Sequence, residues 1–513
     1  MLCLEHLVIF NKPKISIQME MGMTVSVVVG ALVAFGAVNW IYFKILTIAF
    51  RKKLVDSPEV RKLQKRPVPV VGGLAVFFGV LFGLMAAAMC HNLFMPDVPN
   101  VSLFPVLCAM GVMLYVGAMD DLIGLTPLSR IVIEAVSILA IIFGSGMCVD
   151  TFRGMWGIEA FSWWVAVPLT VFAGVGVINA INMIDGVNGL SSGLCIVCSL
   201  LFGVAFIRLH DVPNAVLAFT IAAAMIPFYI HNVFGLKSRM FIGDAGTMVM
   251  GMLMTWFLIC LLSSENDEAY YEADDRANLI AMSLAILSVP VFDTLRVMTM
   301  RMLKGKSPFK PDKTHLHHVF VNVGVSHFIT GFVEIALGLT ITGIWGVSVL
   351  CGSGLELQLY IVIAASAIGV WGTYMILHYH VINHTEFLHK ITGYSVRTHL
   401  GRTEWWKTIT HWLDASGDYS DAGFQEPRSM LATPDVSLNG CDEDSLKERD
   451  RKRVLDYMKG KAEVHVDDLM ENSGADRLRI YPILTEETQS GSIVVVKSTG
   501  WGAPEIVALK NEN

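Results

Sequence analysis

Residues Trp163–Ile207 read WWVAVPLTVFAGVGVINAINMIDGVNGLSSGLCIVCSLLFGVAFI, which is two apolar runs joined by a polar stretch. Each run is about long enough to cross the roughly 30 Å of hydrocarbon in a bilayer as a helix. The stretch between them, NAINMIDGVNG (Asn179–Gly189), places asparagines and an aspartate at the membrane boundary. A carboxylate costs about 2.5–3.5 kcal/mol at the centre of a span, so these groups indicate a water-filled face or an ion site. Taken alone, the stretch is more typical of a plain polar turn between two spans.

The composition of the whole chain is that of a membrane protein. Of 513 residues, 54% are hydrophobic and 16% are charged, whereas soluble domains have about 25% charged residues. The mean hydropathy is +0.55. The net charge of −7 is spread over loops and a tail, which argues against a nucleic-acid partner. The nine cysteines lie mostly in apolar runs and do not indicate a disulfide framework.

Apolar runs along the chain predict an all-α polytopic protein with eleven spans. They lie at roughly 24–46, 68–90, 101–119, 131–147, 163–180, 190–207, 212–230, 246–263, 278–297, 328–350 and 357–378. No cleavable signal is evident in residues 1–22, so we expect the first span to be retained.

The connecting loops predict the orientation. The first loop carries seven Lys and Arg residues between Arg51 and Arg66, and the loop at 298–327 carries five more. The loops at 91–100, 148–162 and 264–277 hold at most one each. Because basic loops stay in the cytoplasm, we expect the N-terminus outside and the C-terminus inside.

Four polar clusters then fall on the cytoplasmic side of this map. They are Asp120-Asp121, the NAINMIDGVNG stretch, FIGDAG (Phe241–Gly246) and KPDKTHLHH (Lys310–His318). The predicted external loops contain nothing comparable. The four clusters are therefore expected to form one site.

The residue types in this site suit phosphate chemistry. Asp244, between two glycines, is either a helix N-cap or a ligand of a divalent ion. His315, His317 and His318 lie beside Lys313 and fit an anion-binding loop, with a solvated basic loop or a zinc site as alternatives. Carboxylates for a metal facing basic groups for phosphates is the arrangement that phosphoryl transfer requires.

The composition changes after His380. Residues 381–444 are interpreted as a linker region, and residues 445–513 as a small cytoplasmic α+β module. Three short helices followed by a hairpin predict a winged-helix-like arrangement for this module. It lacks a basic patch, so nucleic-acid binding is not expected.

The membrane part, about residues 23–380, resembles the polyprenyl-phosphate N-acetylhexosamine-1-phosphate transferases, an eleven-span family. The matching motifs are RPVPVVGG (Arg66–Gly73), the Asp120-Asp121 pair, NAINMIDGVNG, FIGDAG, Asp293, SPFKPD (Ser307–Asp312) and HLHH. The H-x-H-H form is similar to that of the bacterial undecaprenyl-phosphate N-acetylglucosamine-1-phosphate transferases.

The resemblance implies a role for each candidate residue. Asp244 would bind Mg²⁺ (or Mn²⁺) with Asp185 or Asn188 beside it, and Asp120 and Asp121 would position or deprotonate the lipid phosphate. The remaining candidates would bind the diphosphate of a UDP-N-acetylhexosamine: Asn182, Asn188, Arg301, His315, His317 and His318. The resemblance also implies undecaprenyl phosphate as acceptor, a bacterial inner-membrane location with the site on the cytoplasmic face, and a homodimer as one possible assembly.

Two departures and two other functions stay open. Some relatives have Asp where this chain has Asn188, and close relatives often carry Lys where Leu128 aligns, leaving Arg130 as the basic residue. A secondary transporter would place charges near span centres. A membrane metallohydrolase would use HLHH as a zinc site.

Overall fold

The structure is a computed structural model. It describes residues 5–52, 54–56, 68–94, 103–266, 270, 278–308, 314–323, 325–383, 403–415, 443–473, 475, 477–498 and 504–510. The long helices of the membrane part are α1 (Glu5–Arg51), α2 (Gly72–Phe94), α3 (Phe104–Ile123), α4 (Pro127–Ser145), α5 (Trp163–Met183), α6 (Leu190–Arg208), α7 (Val212–Phe234) and α8 (Gly243–Leu261). A short antiparallel pair, β1 (Val55–Asp56) and β2 (Val68–Pro69), lies between α1 and α2.

The second part of the membrane region is less regular. It contains α9 (Leu279–Ile286), α10 (Ser288–Leu303), α11 (Leu316–Asn322), α12 (His327–Leu350) and α13 (Leu355–Ser366), and a π-helical turn leads from α13 into α14 (Thr373–Asn383). Helices α9 and α10 are bent by 76° at a short break. The run at 278–297, predicted as one straight span, is therefore broken into two helices.

Ten of the described helices are long and apolar enough to cross a membrane, and the bent pair makes eleven if it is counted as one span. The all-α polytopic prediction is confirmed, and the protein is a multi-pass membrane protein. The predicted ends differ from the observed ones by several residues in places; the second span begins at Gly72 rather than near residue 68. The orientation of the termini stays a prediction.

Helix α8 lies at the centre of the bundle. Buried residues make up 89% of its most apolar stretch, against 28% for α4 and 22% for α12. Glycines allow the neighbouring helices to approach it closely: a methyl group at Gly117 of α3 would overlap the backbone of Ala245, and one at Gly73 of α2 would overlap Gly246. Close packing through small residues is typical of helices in a membrane. It holds the first turn of α8, which carries Asp244, firmly in place.

The region after His380 holds one helix that the sequence analysis did not predict. Helix α15 (Glu404–Ala415) lies inside 381–444, so treating that region as a linker was wrong for these residues. Apart from 381–383, 403–415 and 443–444, the region interpreted as a linker lies outside the described residues.

The C-terminal module follows as α16 (Glu443–Met458), β3 (Val464–His465), α17 (Val466–Asn472), α18 (Arg477–Ser490), β4 (Ile493–Ser498) and β5 (Pro504–Leu509). Its three strands form an antiparallel sheet in the order β3-β5-β4. An apolar cluster of its own, which includes Val454, Leu469, Ile480 and Val507, lies between the helices and the sheet. The sequence analysis predicted the three helices and the hairpin, but not strand β3.

Candidate functional site

The first turn of α8 is held by the segment that leads into α2. The N–H of Phe241 donates to the carbonyl oxygen of Pro69 at 2.7 Å, and the N–H groups of Gly72 and Gly73 donate to the carbonyls of Phe241 and Ile242 at 2.9 and 2.8 Å. These bonds tie the end of the Arg66–Gly73 motif to the start of the FIGDAG motif. The first motif is therefore part of the support for Asp244.

Asp121 caps helix α8. Its Oδ1 accepts a hydrogen bond from the N–H of Asp244 at 3.0 Å, and its Oδ2 accepts one from the N–H of Ala245 at 3.2 Å. Gly243 has φ +71°, and a methyl group there would lie 2.6 Å from Oδ2 of Asp121. The N-cap role considered for Asp244 thus belongs to Asp121, and the Asp244 side chain is left to point elsewhere.

Arg130 joins three of the candidate residues. Its guanidinium lies 2.7 Å from Oδ2 of Asp120 and 3.5 Å from Oδ2 of Asp244, and it donates to Oδ1 of Asn182 at 2.9 Å. The second oxygen of Asp120 accepts from the N–H of Leu125 at 2.6 Å. One cation therefore partly neutralises two carboxylates that would otherwise repel each other.

Asn182 completes this group from the NAINMIDGVNG stretch. Its amide nitrogen donates to Oδ1 of Asp244 at 2.8 Å and to Oγ1 of Thr247 at 2.7 Å, while its oxygen accepts from Arg130. Both the nitrogen and the oxygen of the Asn182 side-chain amide are therefore hydrogen-bonded. Three of the four predicted clusters meet here, at the ends of α3, α4, α5 and α8.

The rest of that stretch forms a turn beside α6. Asp185 accepts from the hydroxyl of Ser191 at 2.5 Å. Asp185 is accessible on one side, but the surrounding protein raises the pKa of its carboxyl group above the usual range. The hydrogen bond from Ser191 lowers this pKa, and the negative charge of Asp244 raises it further. The Asn188 main-chain N–H donates to Nδ1 of His327 at 3.4 Å.

His315 belongs to a buried ion network. Its Nδ1 lies 2.8 Å from Oδ2 of Asp293, and the guanidinium of Arg296 lies 2.6 Å from Oδ1 of Asp293. The same carboxylate accepts from the N–H of Leu316 at the start of α11. Arg296 also lies over the ring of Tyr374, 3.8 Å from its centroid. His315 therefore has a structural role: its bond to Asp293 fixes the start of the histidine loop.

His317 brings the histidine loop to the acidic residues. Its ring packs directly against Gly186, so a methyl group at that glycine would overlap the imidazole. The ring is stacked 5.7 Å from that of His315 and lies 4.3 Å from that of His318, which is half-buried. Burial and the adjacent imidazoles hold the pKa of His317 well below its usual range, so this ring is neutral. Neither nitrogen has a hydrogen-bond partner among the described residues.

Arg301 is the candidate whose direct place in the site is not shown. It is buried at the end of α10, and its Nη1 donates to the carbonyl of Pro308 at 2.6 Å. The rest of the SPFKPD motif, from Phe309, lies outside the described residues, as do Lys310 and Lys313 of the histidine cluster. Arg301 holds the beginning of this loop.

Comparison with known proteins identifies the membrane part. The model of glycosyl transferase family 4 matches residues 103–262. The chain is 29% identical over 308 residues to the undecaprenyl-phosphate alpha-N-acetylglucosaminyl 1-phosphate transferase of Yersinia pestis, covering 58% of this chain and 78% of the relative. It is 30% identical over 309 residues to the decaprenyl-phosphate N-acetylglucosaminephosphotransferase of Mycolicibacterium smegmatis, covering 58% and 75%. The chain belongs to glycosyl transferase family 4.

Membership makes this protein a membrane transferase, and it raises the question of a metal ion. Within the described residues, no group of three or more His, Cys, Asp or Glu side chains could enclose a metal by itself. Mg²⁺ does not need such a cage, because it binds one or two carboxylates together with water and phosphate oxygens. The negative charge of Asp244 contributes to the raised pKa of Asp185, and the hard oxygen donors of the two residues fit Mg²⁺ better than zinc.

The sequence analysis did not predict several residues of the site. Arg130 was noted only as the remaining basic residue, and Thr247, Ser191 and Arg296 were not singled out at all. Glu134 is buried in α4 and accepts from Nδ2 of Asn179 at 2.6 Å, one turn beyond Arg130. The available signal was a charge inside an apolar run, since Glu134 and Arg130 are four residues apart and face the same side of α4.

Proposed function

We propose that this protein transfers N-acetylhexosamine 1-phosphate, with N-acetylglucosamine 1-phosphate as the first candidate, from a UDP-sugar to undecaprenyl phosphate. The observation that carries the proposal is the group of Asp120, Asp244 and Asn182 around Arg130, with the ring of His317 packed against Gly186 of the neighbouring turn. Two relatives are named for the transfer of N-acetylglucosamine phosphate to a polyprenyl phosphate. Other UDP-linked N-acetylhexosamines share the same diphosphate and are outcomes of the test.

In the proposed reaction, an oxygen of the lipid phosphate attacks the β-phosphorus of the UDP-sugar. The bond from that phosphorus to the bridging oxygen breaks, UMP leaves with the electron pair, and the sugar remains on a new lipid diphosphate. One phosphoanhydride replaces another, so the reaction is expected to be readily reversible. The transition state carries its charge on phosphoryl oxygens, and catalysis consists mainly of positioning and charge neutralisation.

The chain's residues divide this work. Asp244 and Asp185 would hold Mg²⁺, which when bound neutralises charge on the diphosphate. Arg130 is the cation 3.5 Å from Asp244, and its bonds to Asp120 and Asn182 fix its orientation. His317 is neutral, so it would interact with the substrate as a hydrogen-bonding ring; Arg301, His315 and Asn188 would support the loops around it.

The location of the site follows from the same proposal. The ends of α3 and α5 and the beginnings of α4 and α8 carry the polar group, so all of its members lie on one side of the bundle. The basic loop between α1 and α2 is on this side. By the positive-inside rule, this side of the bundle is the cytoplasmic face of a bacterial inner membrane, where a UDP-sugar is available.

The experiment uses full-length protein purified in detergent, undecaprenyl phosphate, Mg²⁺ and a panel of UDP-sugars, with release of UMP as the measurement. We expect UMP with one donor, and only when lipid, metal and Asp244 are all present. Asp244→Asn is the inactive variant, and Asp456→Asn, which removes an exposed pair with Lys459 in the C-terminal module, is the matched control. Absence of UMP with every donor, in folded protein, would exclude the proposal and return attention to transport.

A further inference from the structure

Helix α15 lies against the membrane part although it follows the last span. The ring of Trp406 packs 4.6 Å from that of Phe234, at the end of α7, and 5.6 Å from that of Phe328, at the start of α12. The hydroxyl of Thr410 donates to the carbonyl of Phe234 at 2.8 Å. These contacts seat one face of the helix on the ends of two spans.

Asp414 makes the most extensive of these contacts. Its carboxylate accepts from the main-chain N–H groups of Leu236, Lys237 and Ser238 at 3.2, 3.0 and 3.0 Å, and from the hydroxyl of Ser238 at 2.8 Å. Three consecutive amides thus converge on one carboxylate just beyond the end of α7. Hydrogen bonds to a charged acceptor are the stronger kind, and here four of them fix one short loop.

The loop that Asp414 binds is the one that leads to Asp244. Ser238 is buried, and its carbonyl accepts from the hydroxyl of Tyr42 at 2.7 Å. Two residues later, the carbonyl of Met240 accepts from Asn232 at 2.8 Å, and the same Asn232 side chain accepts from the N–H of Gly189 at 2.7 Å. The loop therefore leads directly into α8, and Asn232 of α7 joins it to Gly189 at the end of the NAINMIDGVNG turn.

We propose that Asp414 is a positioning residue of the active site: it fixes the α7–α8 loop and so sets the places of Asp244 and of the Asp185 turn. This role rests on the transferase function proposed above. Residues 404–415 lie beyond the 103–262 match to the family. A segment outside the recognised core thus contributes to the alignment of the catalytic group.

Two substitutions remove the hydrogen bonds of the Asp414 carboxylate to different extents. Asp414→Asn keeps one acceptor oxygen for the four donors, and Asp414→Ala keeps none. Glu404→Gln is the matched control, because Glu404 is at the other end of α15 and pairs only with the exposed Lys407 at 2.8 Å among the contacts described. All variants are made in the full-length chain.

The first measurement is hydrogen exchange at the amides of residues 236–238. We expect exchange to accelerate by about tenfold in Asp414→Ala and less in Asp414→Asn, with no change in Glu404→Gln. The second is UMP release as a function of Mg²⁺ concentration. Misplacement of Asp244 should lower kcat and raise the half-saturating Mg²⁺ concentration. Both effects should be smaller in Asp414→Asn than in Asp414→Ala, and KM for undecaprenyl phosphate should be unchanged.

The outcomes separate the two proposals. If wild-type protein releases no UMP, the transferase function fails, while the exchange data still test the contact. If wild-type is active and both Asp414 variants keep its kcat and its Mg²⁺ dependence, the positioning role is excluded. An equal loss in Glu404→Gln, or a fall in kcat without faster exchange at 236–238, would also contradict it.

Discussion

The main-chain N–H of Asp244 donates to Oδ1 of Asp121 at 3.0 Å, so one aspartate of the site holds the helix that carries another. Asp121 comes from the end of α3, and Asp244 from the first turn of α8. A carboxylate at a helix N-terminus also interacts favourably with the helix dipole. The two residues therefore differ in their tasks: Asp121 supports the backbone, and the side chain of Asp244 faces Arg130 and Asn182.

Asp121→Ala is expected to lower stability and activity together. The change removes two hydrogen bonds from the N-terminus of α8, and loss of such a cap costs about 1 kcal/mol or somewhat more. Asp121→Asn keeps one acceptor oxygen and should lose less. Thermal unfolding in detergent, with UMP release measured in parallel, checks this. Asp244→Asn should instead abolish activity without lowering the unfolding temperature; equal destabilisation by both Asp121→Ala and Asp244→Asn would contradict the division of tasks.

Asn182→Asp is expected to be more damaging than Asn182→Ala. Asn182 donates to Asp244 and Thr247 and accepts from Arg130. Aspartate has no donor and adds a negative charge next to Asp244, whereas alanine removes the contacts without adding repulsion. We expect UMP release to fall by at least about tenfold more in the aspartate variant. Similar activity of the two variants would contradict this expectation, because it would show that a negative charge placed next to Asp244 has no effect.

Gly117→Ala tests the packing that holds α8. An added methyl group would overlap Ala245 and the carbonyl of Asp244, and forcing an extra carbon into a packed core costs about 1–3 kcal/mol. We expect a lower unfolding temperature and a loss of UMP release. Gly111→Ala, on the same helix, is the matched control: no atom lies within 4 Å of the added carbon, and alanine has the higher helix propensity.

The sequence was sufficient for the parts of the fold and site that depend on composition and order. Apolar runs give the spans, and the four polar clusters follow from their positions between them. It could not give the break between α9 and α10, because 278–297 is interpreted as one continuous apolar run. Nor could it distinguish Asp121 from Asp120: only the close approach of α3 to α8, permitted by Gly117, determines which carboxylate meets the free amides of α8.

Helix α15 is a second element that the sequence analysis did not predict. Residues 404–415 are too few and too polar to read as a span, and their neighbours in sequence are linker-like. The helix is stabilised by tertiary contacts: Trp406 packs against Phe234 and Phe328, and Asp414 binds the N–H of Leu236, 178 residues earlier in the chain. The apolar residues of EWWKTITHWLDA recur at helical spacing, but short isolated helices are marginal in water, and the surface that stabilises this one is formed only by the folded chain.

His317 gives a prediction about pH. In the unfolded chain its imidazole titrates at the ordinary value of 6.5, while burial keeps the pKa of the folded residue well below that. Below that pH the unfolded state therefore binds more protons than the folded state, and stability falls as the pH falls. His317→Gln removes this contribution. Between about pH 7.5 and about pH 5, the wild-type protein should lose about 1–2 kcal/mol more stability than the variant.

Unfolding followed at both pH values in detergent measures the difference, and the other histidines cancel because they are common to both proteins. Glutamine is uncharged and of similar size, so the comparison at about pH 7.5 reports packing, and the change on acidification reports the proton. A wild-type protein that instead gains stability relative to His317→Gln at low pH would mean that His317 is protonated when folded. The histidine loop would then bind the diphosphate as a cation, and the neutral hydrogen-bonding role assigned to His317 would be wrong.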